Sequence, residues 1–388
     1  MYKIQTYNTI SSIGLDRLPH DRYEVASEIQ HPDAILLRSH DLHGAPIPES
    51  LKAVGRAGAG TNNIPVAEYT ERGIPVFNAP GANANAVKEL VVAGLLLAAR
   101  QIPVALDFAS QLEGDNAGIS QQVEKGKKRF AGYELAGKTL GVLGLGAIGV
   151  LVANAADALG MKVIGFDPQL TVESAWKLSA TAVKAASAQE LLAHSDFISL
   201  HVPLNKLTQG FLNEERLTSI KPGAVLLNFS RGGVVDEAGV IKALQSGRLN
   251  AYVTDFPSRA LLNQPRAIVL PHLGASTAEA EDNCAIMVAD QVRDYLENGN
   301  IQNAVNYPDV VLPRNGAKVR LAIANRNIPN IVGQITSALA EAGLNITDLT
   351  NKSRGDHAFT LLDLSEPVPP ATFDRIKGIN GVLSARLI

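Results

Sequence analysis

The stretch TLGVLGLGAIGVLVANAADALGMKVIGFD (139–167) constrains this chain more than any other part of it. An apolar run ends in Gly144-Leu145-Gly146-Ala147-Ile148-Gly149, a helical pattern follows, and a second apolar run ends in Asp167. The order is strand, glycine turn, helix, second parallel strand. Gly144 allows the tight turn, Gly146 lets the backbone approach a pyrophosphate, and Gly149 lets the helix pack closely on the strand. The helix start, Ala147 and Ile148, then faces the anion. Asp167, eighteen residues past Gly149, stands where an acid bonds a ribose 2′-hydroxyl. Its charge repels a 2′-phosphate, so NAD is expected rather than NADP.

With 388 residues, two or three domains are expected. The chain is 46% hydrophobic and 19% charged, the balance of a globular protein, and its net charge of −3 offers no general attraction for nucleic acid or an anionic membrane. The longest apolar run, LVVAGLLLAA (90–99), is too short to span a bilayer and reads as a buried helix. The lone Cys284 rules out an internal disulfide and fits a reducing compartment. The start, MYKIQTYNTI, lacks the pattern of a signal peptide, so a soluble cytoplasmic protein is expected. No metal ion is expected.

Short apolar runs such as AILLRS, PVFNAP, DFISLHVP, AVLLNFS and AIVLPH alternate with helical segments, which argues for parallel sheets covered by helices. Helices are predicted from about Asn83 to Arg100 and over 277–297. NGNIQNAVNYPDVVLPRNG reads as a linker. Beyond it the order becomes β-α-β-β-α-β, the ferredoxin-like pattern, in a unit with enough apolar content to fold alone.

Two residues suggest chemistry. Arg231 follows a buried strand in NFSRGGVVDE, and a guanidinium binds a carboxylate bidentately. His272 ends the run AIVLPH, and an imidazole can exchange a hydroxyl proton as a hydride leaves. Alone, each has a bland alternative: a structural ion pair or a core histidine. Together, behind a dinucleotide fingerprint, they point to hydride transfer on a 2-hydroxy acid.

GVLGLGAIG, HVPL, KPGAVLLNFSRGGVVDE and LPHLGASTAEAE closely resemble the NAD-dependent D-2-hydroxyacid dehydrogenase family. VGRAGAGTNNIPV and GIPVFNAPGANANAVKELV look like its branch acting on D-3-phosphoglycerate, and the C-terminal unit resembles an ACT regulatory domain. The resemblance implies a Rossmann-type nucleotide domain (98–284) inserted in a flavodoxin-like substrate domain (1–97 and 285–312), followed by the ACT domain (318–388). Substrate is then expected in an interdomain cleft. It implies Arg231 on the substrate carboxylate and His272 as acid/base. Arg38, Ala57, Gly58 and Gly60 fall at substrate positions, and His201, Pro203, Ser230, Asp255 and Gly274 at cofactor positions. KGKKRF (125–130) reads either as added phosphate-binding charge or as solvated surface.

The pattern breaks once. The family pairs its histidine with a glutamate shortly after the phenylalanine that Phe256 matches, yet Arg259 and Ala260 stand there. Three readings stay open: an active enzyme without that acid, a preference for hydroxypyruvate, glyoxylate or 2-oxoglutarate, or a catalytically weakened NAD-binding regulator. In the C-terminal unit, Asn327 and Asn345 match asparagines that grip L-serine in serine-sensing ACT domains, and Asn325 stands where some relatives have histidine. A serine effector and a homo-oligomer, dimer or tetramer, are expected from the resemblance.

Overall fold

The computed structural model describes residues 1–388. The chain divides into two compact units, 1–83 with 278–388, and 84–277. No single helix is long and apolar enough to cross a membrane.

In the first unit, β1 (Tyr2–Thr6), β2 (Tyr23–Ala26), β3 (Ala34–Leu37), β4 (Ala53–Arg56) and β5 (Val76–Phe77) form a parallel sheet of order β2-β1-β3-β4-β5. This is the flavodoxin-like order expected. Successive side chains of a strand face opposite ways. Ile35 and Leu37 accordingly join one core with Val54 and Tyr69, while Ala34 and Leu36 join another with Val288, Val292 and Tyr295. The last three lie on the helix Ala278–Asn298, close to the predicted span.

In the second unit, β6 (Thr139–Leu143), β7 (Lys162–Phe166), β8 (Val183–Lys184), β9 (Phe197–Leu200), β10 (Ala224–Asn228), β11 (Leu249–Thr254) and β12 (Ala267–Val269) form one parallel sheet. Its order, β12-β11-β10-β9-β6-β7-β8, reverses direction between β6 and β9, as a Rossmann sheet does. The helix Ala84–Ala99 belongs with this unit, not with the substrate domain that the resemblance implies for residues up to 97. Its Val87, Val91 and Leu95 share a core with Val142, Leu227 and Val253 of the sheet.

The C-terminal region returns to the first unit. β13 (Val319–Arg326), β14 (Ile346–Arg354), β15 (His357–Leu364) and β16 (Val382–Leu387) form an antiparallel sheet of order β14-β15-β13-β16, with helices Ile331–Glu341 and Pro370–Lys377. The ferredoxin-like order is as expected. Leu321, Ile323, Leu362 and Leu364 pack on those helices through Ile335, Leu339 and Ile376. The opposite face does not stand free. Ala322, Ala324, Phe359 and Leu361 enter the core that holds Phe77, Tyr295 and Tyr307.

The stretch read as a linker is therefore core. Ile301, Ala304, Tyr307, Val310 and Leu312 are buried. Asn306 explains why a polar segment sits there: its Oδ1 accepts from Val76 N, and its Nδ2 donates to Thr70 Oγ1 and Ile74 O. One amide thus satisfies the backbone beside β5, an accounting that buried edges require. Asn and Pro content marked this stretch as loop, but could not show that its apolar residues are covered.

Candidate active site

In the second unit the expected residues fall on loops at the carboxyl ends of adjacent parallel strands. In sheet order they are Asp167 after β7, Gly144 after β6, His201 after β9, Ser230 and Arg231 after β10, Asp255 after β11 and His272 after β12. Five inter-strand steps of ~4.8 Å make this a row about 24 Å long. Such an edge at a topological switch point is where open α/β sheets bind ligands.

The glycine turn has little freedom to be anything else. Gly144 has φ +92°, a left-handed value that L side chains rarely adopt, and a Cβ there would lie 2.5 Å from His201 O. A Cβ on Gly149 would lie 1.9 Å from Gly144 O. Gly146 precedes the helix Ala147–Ala158 as its N-cap, and a Cβ there would meet nothing within 4 Å. Asp167 fastens the turn, with Oδ2 accepting from Leu145 N at 2.8 Å and Oδ1 from Gln169 N at 2.8 Å.

Two buried polar atoms on this row lack protein partners: His201 Nδ1 and Asp255 Oδ1. His201 Nε2 lies 2.8 Å from Ser199 Oγ. Burial pulls its pKa down to about 3, so the ring is neutral at neutral pH. Asp255 is 1% exposed, and its Oδ2 accepts from Gly274 N at 3.0 Å. Burial raises its pKa; the Gly274 bond and the nearby charges of His272 and Arg231 act the other way. Pro203 is exposed, and its carbonyl accepts from the Thr208 hydroxyl.

Arg231 and His272 are both exposed. Arg231 Nη1 donates to Ser230 O at 2.7 Å, and the rest of the guanidinium is open to a ligand. His272 has φ +38°, held by its backbone N–H, which donates to Asp255 O at 2.9 Å and Leu270 O at 3.2 Å. Its ring tilts on Phe256, centroids 5.2 Å apart. No carboxylate of its own unit forms an ion pair with it. Ser258 caps the short helix Arg259–Leu262 by accepting from Leu261 N, and Arg259 and Ala260 are exposed.

Sequence reasoning missed the residues that hold this edge in place. Asn228 is fully buried; its Oδ1 accepts from Ser230 N and Oγ, and its Nδ2 donates to Arg231 O and Tyr252 OH. Thr254 Oγ1 donates to Asn228 O and accepts from Phe256 N. The available signal was a polar residue ending an otherwise apolar strand, AVLLN and LNAYVT.

The first unit repeats the arrangement. Arg38 follows β3, while Ala57, Gly58 and Gly60 follow β4, again at carboxyl ends. Arg38 Nη1 pairs with Glu281 Oε1 at 2.6 Å, and Arg38 O accepts from Arg56 Nε and Asn63 Nδ2. In the C-terminal sheet, Asn327 and Asn345 are exposed, with Asn327 Nδ2 donating to Gly355 O. Asn325 differs from the expectation of a ligand contact. It is fully buried, its Nδ2 donating to Arg326 O and its Oδ1 accepting from Thr360 Oγ1. In KGKKRF, Lys127 pairs with Glu124, and Arg129 lies over the Phe108 and Phe130 rings.

Residues 102–274 match the family model described as D-isomer specific 2-hydroxyacid dehydrogenase, NAD binding domain. The chain is 34% identical over 353 residues to D-3-phosphoglycerate dehydrogenase of Escherichia coli (strain K12), covering 88% of this chain and 82% of that one. It is 36% identical over 321 residues to D-3-phosphoglycerate dehydrogenase of Methanocaldococcus jannaschii, covering 80% of this chain. It spans 59% of that protein, and little more than half the length of other curated relatives it matches. A crystal structure of NAD+-bound 3-phosphoglycerate dehydrogenase from Entamoeba histolytica is similar with a TM-score of 0.61 at 26% identity, covering 78% of this chain and 98% of that one.

Proposed function

The chain belongs to the D-isomer specific 2-hydroxyacid dehydrogenase family, and on that premise we propose that it oxidises D-3-phosphoglycerate at C2 with NAD, giving 3-phosphohydroxypyruvate. The observation that carries this reading is the row of side chains along one sheet edge, from Asp167 to His272. Features of that row fit a dinucleotide: a turn with no room for a Cβ at Gly144 or Gly149, and unpartnered buried atoms on His201 and Asp255. Asp167 takes the ribose hydroxyls, the helix start at Gly146–Ile148 takes the pyrophosphate, and Asp255 Oδ1 accepts from an amide donor. Bound NAD supplies the hydride acceptor. Arg231 grips the substrate carboxylate with its free N–H groups. His272 takes the C2 hydroxyl proton during oxidation and returns it in the reverse direction. Arg38 and the Ala57–Gly60 backbone bind the remainder of the substrate, with Arg38 exchanging Glu281 for the ligand.

This reading extends to the phosphorylated route to serine, a cytoplasmic setting and a homo-oligomer. Feedback by L-serine is assigned to Asn327 and Asn345, whose side chains remain accessible; Asn325 acts only by shaping the strand end. The unpaired, largely exposed edge strand β14 supports association between copies.

Rates of NAD reduction with D-3-phosphoglycerate, and of NADH oxidation with hydroxypyruvate, glyoxylate and 2-oxoglutarate, test the substrate. The highest kcat/KM is expected for the phosphoglycerate couple. Faster turnover of any unphosphorylated acid would replace the proposed substrate while leaving the chemistry intact.

Asp255 offers a second test. Its raised pKa means the folded protein holds this proton more tightly than the unfolded chain does. The cost of ionising it therefore appears as pH climbs above the ordinary carboxylate value of about 4. Asp255→Asn is expected to be more stable than wild type at pH 7 while weakening NAD binding. Denaturant melts at pH 4 and 7 should show the gain only at the higher pH, and titration with NAD should show the weakening.

A further inference from the structure

A groove of about 820 Å3 runs along the helix Ala278–Asn298, walled on the other side by Arg17, Gly81, Ala82, Gln302 and Asn303. Met287, Gln291, Asp294 and Asn298 present one stripe of the helix to it, at the spacing of successive turns. Gln291 is the anomaly. It is 8% exposed, and both its Nε2 and its Oε1 are buried without a hydrogen-bond partner. Buried amides in folded proteins nearly always find partners, and an apolar side chain would serve a purely structural position better.

Arg17 and the acidic side chains around the groove already have partners. Arg17 Nε pairs with Asp290 at 2.9 Å, and Arg293 Nη1 donates to Arg17 O at 2.8 Å. Asp294 accepts from Asn298 and Asn300, while Glu297 accepts from Tyr23 OH. The lining carries three carboxylates, Asp290, Asp294 and Glu297, against two cations, Arg17 and Arg293, so the groove has no net positive charge to attract a phosphate. What remains is Gln291, with donor and acceptor side by side, and the exposed amides of Asn283, Gln302 and Asn303. A carboxamide is complementary to another carboxamide, each donating to and accepting from the other.

We propose that this groove is a binding site for a small neutral or zwitterionic molecule bearing a primary carboxamide, which the Gln291 amide meets by rotating outward into the groove. It is independent of the residues assigned to the reaction and of the Asn327 loop.

Calorimetric titration of the full chain with L-asparagine and L-glutamine tests this. Saturable binding of at least one is expected, unaffected by excess inorganic phosphate and retained in Asn327→Ala. Gln291→Met, which keeps length and removes both polar ends, should weaken it about tenfold or more. The same variant should melt no lower than wild type, because it also removes the unpartnered groups. Asn283→Ala, on the exposed rim, should fold normally and weaken binding less. Failure of both amino acids to bind wild type overturns the proposal, as does undiminished binding by Gln291→Met. A clearly lower melting temperature for Gln291→Met would also overturn it, because that marks an amide bridged by structural water.

Discussion

Replacing His272 by glutamine is expected to lower kcat for NAD reduction by about 10²–10⁴-fold, the contribution of a positioned acid/base group. The KM for the acid should change much less, because Arg231 supplies the carboxylate contact. Arg231→Lys is the converse: it keeps the charge, loses the fork, and should act mainly on KM. The setting of His272 supports this division. A non-glycine residue at φ +38° is strained, and here the strain is held by two backbone acceptors, Asp255 O and Leu270 O. The ring packs against Phe256, a contact that biases its direction without a carboxylate. Asp255 sits near enough to feel the charge of His272, but its Oδ2 is occupied by Gly274 N. A glutamate introduced by Ala260→Glu or Arg259→Glu, the family position, should favour the charged ring and move the acid limb of the pH–rate profile upward. If wild type turns over at ordinary family rates and both glutamates impair it, the missing acid has no bearing on this site.

The nucleotide unit was legible because its signals are local. A strand, three glycines and an acid within 139–167 dictate their own geometry, and His201, Asp255 and His272 each end a recognisable apolar run. The supports of that edge were not legible. Asn228 works by bonding to Ser230, Arg231 and Tyr252, and only folding reveals that last neighbour. The C-terminal unit shows the same limit. Its βαββαβ order can be read from periodicity, but alternation alone cannot say what covers the second face. Ala322, Ala324, Phe359 and Leu361 looked like one side of a free-standing sheet; they are half of a core completed by Tyr295 and Tyr307. Asn325 was misleading for a related reason: an asparagine at a strand end reads as available, and here Thr360 and Arg326 use both ends of its amide.

The largest effect on stability is expected from Asp363→Asn. Arg320 is fully buried and Asp363 is 2% exposed. They meet bidentately, Nε to Oδ1 at 2.6 Å and Nη2 to Oδ2 at 2.8 Å. Arg320 also donates from Nη1 to Asn298 O at 2.9 Å, at the end of the helix Ala278–Asn298, and from Nη2 to Pro313 O at 3.3 Å. One guanidinium thus joins β13, β15 and the segment between that helix and the sheet. Removing the carboxylate charge leaves a buried cation uncompensated, which costs about 3–5 kcal/mol. Removing both charges costs far less, because the desolvation penalty disappears with them. Denaturant unfolding of Asp363→Asn, Arg320→Met and the Arg320→Met/Asp363→Leu double variant separates the two cases. The singles should fall well below wild type and the double should recover most of the loss. Arg320→Met should also make 313–318 more open to limited proteolysis, because it removes the bond to Pro313 O and leaves Arg314 on Ile388 O and Lys318 on Glu366 as the ties of this segment. A double variant as unstable as Asp363→Asn would mean that the hydrogen bonds to Asn298 and Pro313, rather than charge pairing, hold this region in place.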